Sequence, residues 1–339
     1  MVDICALDER GLEDILSRPT EATKRVLASV PGDIVVLGAG GKMGPTLAMM
    51  LKKAAPGKNI YAVSRFSDQA VKARIREAGI ETIQADLLDD SAYAHLPNVE
   101  NVFYMVGMKF GVTGKQPLTW ALNSFVPGLV ARHYKNSRIV VFSTGNVYPL
   151  VDVESGGTRE DTAPDPVGEY AQSCLGRERM FQYFCGLYNT PTTIVRLNYA
   201  NEPRYGIIVD LTFKIRNDEP IDLTMGAVNL IWQRDANDYI IRSISLAISP
   251  PAILNVTGPQ TVSIRALAEQ IGKELNKTPR FVSKEAKNAL LSNAAYCCET
   301  FGYPQMTVTE MVPYIVQWAA SGKKVLNKPT KYEIRDGKF

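Results

Sequence analysis

The residues of this chain best suited to chemistry by type and spacing are a run of glycines. Gly38-Ala39-Gly40-Gly41-Lys42-Met43-Gly44 follows a short apolar run and leads into a helical one. Glycine at 38, 41 and 44 suits a tight turn, a close approach of backbone to a pyrophosphate, and close packing of helix on strand, with the helix N-terminus facing the phosphate charge. Lys42, next to Met43 in the turn, reads either as a phosphate contact or as a solvated loop lysine. The second apolar run ends in Val63-Ser64-Arg65, where a fold that binds NAD places an acid for the ribose hydroxyls. A hydroxyl followed by a guanidinium suits a 2′-phosphate instead, which favours NADP over NAD. Asp86-Leu87 closes the third run, in position for the adenine edge. Val106-Gly107 closes the fourth, where a small residue lets a cofactor lie against the strand end.

Several other chemistries are disfavoured. The two histidines, His95 and His133, leave little room for a histidine-rich metal site or a Ser-His-Asp triad, and no metal is expected. Five cysteines, with no C-x-x-C pair, read as reduced thiols in a chain of 339 residues that needs no staples. With 38 basic and 35 acidic residues the formal charge is +3, too balanced for a nucleic-acid partner. The N-terminus carries acids where a signal peptide needs a basic start, and no later run is apolar enough to span a bilayer. A cytoplasmic protein without membrane partners is expected.

The elements that must position these residues follow from periodicity. DIVVL (33–37), NIYAV (59–63), ETIQA (81–85), NVFYMV (101–106), RIVVFS (138–143) and TTIVRL (192–197) read as buried parallel strands. Helix-like segments such as 45–55 and 67–79 alternate with them, which predicts an α/β Rossmann-like doubly wound parallel sheet. Residues 1–30 read as a helical extension that packs as an arm, and 31–200 as the NAD(P)-binding domain, with 231–259 returning to it. Residues 200–230 and 260–339 are assigned to a smaller substrate-binding lobe, including a helix opened by Ser263, and to a polar surface tail.

Together these features resemble the extended short-chain dehydrogenase/reductase superfamily, in its NAD(P)-dependent epimerase/dehydratase group, from residue 32 to about 325. Phe142-Ser143-Thr144-Gly145-Asn146-Val147-Tyr148 resembles the family's fifth-strand segment, and Tyr170-Ala171-Gln172-Ser173-Cys174 its Tyr-x-x-x-Lys helix. Arg196-Leu197-Asn198-Tyr199, with Pro203-Arg204 and Gly206, is similar to the strand and turn that reach towards substrate. Asn255-Val256-Thr257-Gly258 is similar to the strand before the last helices. The resemblance implies hydride transfer on a carbohydrate, sugar acid or nucleotide sugar. Tyr170 then serves as acid and base and contacts cofactor, Thr144 as hydrogen-bond partner of the reacting oxygen, and Asn146, Asn198 and Arg204 as substrate contacts. A homodimer through the tyrosine helix is implied by analogy. Gly145-Asn146 lacks the acids of the sugar 4,6-dehydratases and counts against that activity.

The departure from the pattern is Cys174, where the family has the lysine that lowers the tyrosine's pKa. A neutral thiol gives no such help, and a thiolate would raise that pKa. Three readings stay open. Another cation replaces the lysine, with Lys109 favoured over Arg177 because seven residues of helix span about 10 Å. Alternatively, Tyr170 works as a neutral acid. In the third reading the chain binds NADP as a non-catalytic sensor or scaffold.

Overall fold

The computed structural model describes residues 4–109 and 114–338, so that Phe110 and the side chain of Cys5 lie outside the described residues. Seven strands form one sheet: β1 (Ile34–Leu37), β2 (Ile60–Ser64), β3 (Glu81–Gln84), β4 (Asn101–Tyr104), β5 (Arg138–Thr144), β6 (Thr192–Leu197) and β7 (Ala252–Val256). Their order is β7-β6-β5-β4-β1-β2-β3, and every neighbouring pair is parallel. This is the α/β Rossmann-like sheet expected from the sequence. β1 and β4 are buried throughout, which is why they read as unbroken apolar runs rather than alternating ones. The register sets Leu37 beside both Val63 and Tyr104, and Thr144 beside Leu197, so the C-terminal strand ends line one edge of the sheet.

Helices α1 (Glu9–Leu16) and α2 (Glu21–Ser29) precede the sheet. The extension spans two cores. Leu12 and Leu16 of α1 are fully buried in the lobe, whereas Leu27 of α2 and the adjacent Val30 pack on one face of the sheet. Complete burial of a leucine contributes about 1.5–3 kcal/mol, so this arm is a structural part of both halves.

Helix α3 (Gly44–Ala54) follows β1, and α4 (Gln69–Glu77) follows β2. A helical stretch from Gln116 to His133 passes through a π turn at Ala121–Phe125. It packs beside the long α5 (Gly168–Tyr188). In the lobe, α6 (Ile207–Arg216), α8 (Ile264–Leu275) and α9 (Val308–Ala320) surround a core that includes Leu211, Ile271 and Trp318, while α7 (Gln233–Arg242) packs on the sheet against α3. As predicted, Ser263 opens α8, its hydroxyl accepting from the Ala266 amide at 3.3 Å.

The end of the chain differs from the surface tail expected. Thr330 and Tyr332 are buried, and Leu326 donates its amide to the Arg204 carbonyl at 2.9 Å. Arg335 donates to the Thr224 carbonyl at 3.1 Å, and Gly337 packs on Gly168 at the start of α5. The segment is polar because it crosses other polar surface, and composition alone does not separate such a strap from a free tail.

Candidate active site

The C-terminal strand ends carry the residues singled out in the sequence. Gly38 has φ +89°, and a Cβ there would stand 2.9 Å from the Met105 carbonyl carbon and the Val106 amide nitrogen. Only glycine fits that turn without strain. Gly41 has open space, its nearest neighbour at a Cβ position being the Gly38 carbonyl at 3.4 Å. Helix α3 starts without a side-chain cap. Its first amides are therefore available to an anion, and the turn fits a bound pyrophosphate. Met43 stands at the helix cap, and Gly44 packs closely on Ala39. Ser64 lies against Gly40 and Arg65 is exposed beside it. Asp86 is exposed and accepts from the Leu88 amide, and Leu87 is buried with its carbonyl accepting from the Tyr93 hydroxyl.

A cavity of about 360 Å³ runs from the glycine turn to α5. Gly38, Gly41, Lys42, Met43, Gly44, Gly107, Lys109, Thr144, Asn146, Tyr170 and Asn198 line it, whereas Ser64, Arg65, Asp86, Leu87 and Val106 lie beyond its wall. Thr144, at the end of β5, accepts from the Asn146 side-chain amide at 2.9 Å and from its backbone amide at 3.2 Å. The Thr144 hydroxyl also hydrogen-bonds Tyr170. Asn146 thus holds Thr144 in place as well as lining the cavity. Asn198 is buried, and neither polar atom of its side-chain amide has a hydrogen-bond partner among the described residues. A buried amide left in that state is costly, and a polar ligand in the cavity would satisfy it.

Tyr170 is surrounded by charge and apolar surface in competition. Burial first, and then the neighbouring Cys174 thiol, push its phenol well above the ordinary range, while Arg177 and the Thr144 hydroxyl pull it down. The Cys174 thiol is itself pushed up by burial, against the pull of Arg177, so it is neutral near pH 7. Lys109 places its Nζ 5.8 Å from the centre of the Tyr170 ring and donates to the Thr330 carbonyl at 3.2 Å. Burial lowers it to about 8.

Arg177, disfavoured on distance, also lines the cavity. Side chains on a helix lean towards its N-terminus, and the length of arginine covers much of the two turns. Its guanidinium donates to the Phe142 carbonyl at 2.8 Å and to Asn123 Oδ1 at 3.0 Å, pressed against Gly107, where a side chain would collide with it. Asn123 comes from the π turn and was not foreseen. It accepts from the Met108 amide and donates to the Met108 carbonyl and to Ser173, linking the loop after β4 to α5.

Arg204, implied by the resemblance as a substrate contact, is otherwise engaged, and so is Arg234. Arg204 is buried, with its guanidinium 3.0 Å from Glu202 and 3.0 Å from Glu13, and Glu13 also pairs with Arg74 at 3.0 Å. That network ties α1, α4 and the lobe together and engages Nε and Nη1 of Arg204. Arg234 donates to the Arg18 carbonyl and to Gln305. Lys42 turns its Nζ over the Tyr205 ring at 3.5 Å from its centre, and burial with repulsion from Lys109 and Lys328 lowers it to about 6. Among the described residues no cluster of His, Cys, Asp or Glu is placed to hold a metal ion, and no helix is long and apolar enough to cross a membrane.

The fold and the glycine turn define a Rossmann-type dinucleotide-binding protein. Residues 34–201 match the NAD dependent epimerase/dehydratase family, and through that half the chain belongs to this family and is an enzyme of its type. No curated protein sequence matches the chain. Among solved structures it is similar to MoeE5 in complex with UDP-glucose and NAD, at 18% identity and a TM-score of 0.70 over 85% of this chain and 99% of that one. It is also similar to the UDP-glucuronic acid 4-epimerase of Bacillus cereus in complex with UDP-glucuronic acid and NAD, at 17% identity and 0.72 over the same shares. The epimerase Mth375 of Methanothermobacter thermautotrophicus aligns at 18% identity and 0.73, over 89% of this chain and 96% of that one.

Proposed function

We propose that this enzyme is an NAD(P)-dependent epimerase or oxidoreductase of a carbohydrate, a sugar acid or a nucleotide sugar. The observation that carries the reading is the convergence of Thr144, Tyr170 and the unpartnered Asn198 amide on a cavity that opens onto the glycine turn. The similar solved structures hold NAD together with UDP-glucose or UDP-glucuronic acid, which supports the same classes of ligand here.

When bound, a nicotinamide dinucleotide supplies the hydride acceptor and donor. Gly38, Gly41, Met43 and Gly44 with the start of α3 would hold its pyrophosphate. Asp86 and Leu87 would hold the adenine end, and Val106 and Gly107 the strand edge. Ser64 and Arg65 suit a 2′-phosphate, so NADP is proposed over NAD. Thr144 fixes the reacting oxygen of the substrate by a hydrogen bond. Tyr170, protonated at rest, gives its proton to that oxygen as a carbonyl is reduced, and takes one back as a carbinol is oxidised. The cations Arg177 and Lys109 offset the phenolate charge in place of the absent family lysine. Asn146 and Asn198 orient the sugar hydroxyls.

The non-catalytic reading has one observation in its favour, the upward push on the Tyr170 phenol by burial and Cys174. One set of measurements separates the two. UDP-glucose and UDP-glucuronic acid are incubated with the enzyme and either dinucleotide, products are resolved by chromatography, and melting is followed with NADP and with NAD. Turnover should fall at least 100-fold in Tyr170→Phe, as expected on losing a general acid-base group, with dinucleotide stabilisation retained. Unchanged turnover in that variant would overturn the mechanism, and a larger melting shift with NAD would overturn the preference for NADP.

A consequence of the exposed surface is assembly. Phe125, Tyr183 and Leu187, on the paired helices that carry the site, are more than half exposed. We propose that this face pairs two copies of the chain.

A further inference from the structure

A cation that is to support the phenol of Tyr170 must stay in place, and Lys109 reaches it from the loop after β4 on a long side chain. Fixing such a side chain costs roughly 1.5–2 kcal/mol of rotamer freedom, so a loop lysine acts as a steady charge where something holds its Nζ. The Thr330 carbonyl, 3.2 Å from that Nζ, comes from the C-terminal strap of residues 325–337. Lys109, Tyr170 and Thr330 line the same cavity.

The carbonyl is itself fixed from the lobe. Thr330 is buried, and its amide and its hydroxyl both donate to Asp210 Oδ2, at 2.7 and 2.5 Å. Asp210 stands in the first turn of α6. On either side the strap is pinned again, Leu326 by the Arg204 carbonyl and Tyr332 by burial in the lobe core. Lys331, directly after the Thr330 carbonyl, has left-handed backbone with φ 55°. Such a residue costs of order 1 kcal/mol and persists where the surroundings impose it. The charges are consistent with this chain of contacts. Burial lowers Lys109 to about 8, with Asp210 opposing the shift and Lys331 adding to it. Burial raises Asp210 to about 6, against the two hydrogen bonds from Thr330. At pH 7 the lysine is mostly an ammonium and the aspartate mostly a carboxylate, and hydrogen bonds to charged groups are the strong ones.

We propose that Thr330 is a positioning residue of the reaction: held by Asp210, it keeps the Lys109 ammonium beside Tyr170, so that the C-terminal strap completes the proton-handling site. The inference rests on the proposed function and on the part given there to Lys109. It adds the lobe and strap residues through which that part is played.

Turnover of UDP-glucose and UDP-glucuronic acid with either dinucleotide is measured across a cycle of Thr330→Val and Lys109→Met. Thr330→Val, which loses the hydroxyl bond to Asp210, should lower kcat about tenfold, as expected on removing one hydrogen bond to a charged group, with KM held within about twofold. In the Lys109→Met background the same change should alter kcat less than about twofold, because no ammonium is left to position. Thr330→Ser keeps the hydroxyl and should restore kcat to within about twofold of the wild type. The tether is also read without turnover: trace acetylation followed by mass spectrometry should label Lys109 about tenfold faster in Thr330→Val. An equal loss of kcat in both backgrounds makes Thr330 structural only and overturns the inference, as does unchanged kcat or unchanged labelling in Thr330→Val. Full turnover in Lys109→Met removes the part given to Lys109, and this inference with it, and leaves Tyr170 and the proposed function standing. A wild type that turns over neither sugar nucleotide counts against the proposed function, and the inference then falls with it whatever the labelling shows.

Discussion

Tyr170 and Cys174 define the residue-scale problem, because Cys174 stands at the position where the sequence resemblance implies a lysine. Cys174 is fully buried beside Val147 and Tyr148, with Arg177 acting on both the thiol and the phenol. A lysine introduced at 174 would put a second cation into that enclosed space, and burying like charges together is costly. Cys174→Lys alone is therefore expected to lower both the melting temperature and turnover. Arg177→Leu should reduce turnover about tenfold or more and move the basic limb of its pH profile upward. The two changes together should recover part of the loss, a coupling that a double-mutant cycle measures directly. A gain of activity from Cys174→Lys with Arg177 intact would show that the native site lacks its cation. The sequence exposes the missing lysine because it stands in a short helical motif. It hides the approach of Arg177 to the cavity, since reach along a helix depends on where the side chain leans, which spacing alone does not give.

The element that presents Tyr170 is anchored by a buried ion pair. Arg196 of β6 donates through two nitrogens to Glu178 of α5 at 3.0 and 2.8 Å, and Ser143 of β5 donates to the same carboxylate at 2.5 Å. Glu178 is wholly buried. One helix and two strands are thereby fixed just behind the catalytic edge. Removing one partner leaves an uncompensated charge, so Glu178→Gln should destabilise the fold by about 3–5 kcal/mol in urea unfolding. A loss below about 1 kcal/mol would show that the pair is solvated or replaceable. At this scale the strands were legible because burial on both faces leaves long apolar runs, and α8 because its apolar positions repeat at helical spacing. Two elements were not. The π turn that aims Asn123 has no sequence period of its own, and the strap through Lys328 and Thr330 is ordered by partners more than a hundred residues away, such as Asp210.

At the scale of the molecule, charge network and surface divide the labour. Glu13, Arg74, Glu202 and Arg204 join the N-terminal arm, the sheet's helices and the lobe in one buried cluster. On the outside, the apolar face of Phe125, Tyr183 and Leu187 is more than half exposed among the described residues. If it is the dimer contact, Tyr183→Glu with Leu187→Glu should convert the species seen by light scattering from two chains to one, since burying the two new carboxylates would be unfavourable. A wild-type chain that scatters as a monomer at working concentration refutes the pairing. The near-neutral net charge gave no hint of the local arrangement, in which lysines converge on one cavity while most acids are spent elsewhere.

The strap also bears on the order in which the site comes into being. Residues 325–337 follow the glycine turn, Tyr170 and the lobe helices in the chain, so synthesis from the N-terminus delivers the cavity's last wall after every other part has emerged. A nascent chain can assemble its dinucleotide turn while the substrate side is still open. Selectivity for substrate would then be acquired later than the capacity to hold cofactor, and a chain arrested before Val325 would retain the second property without the first.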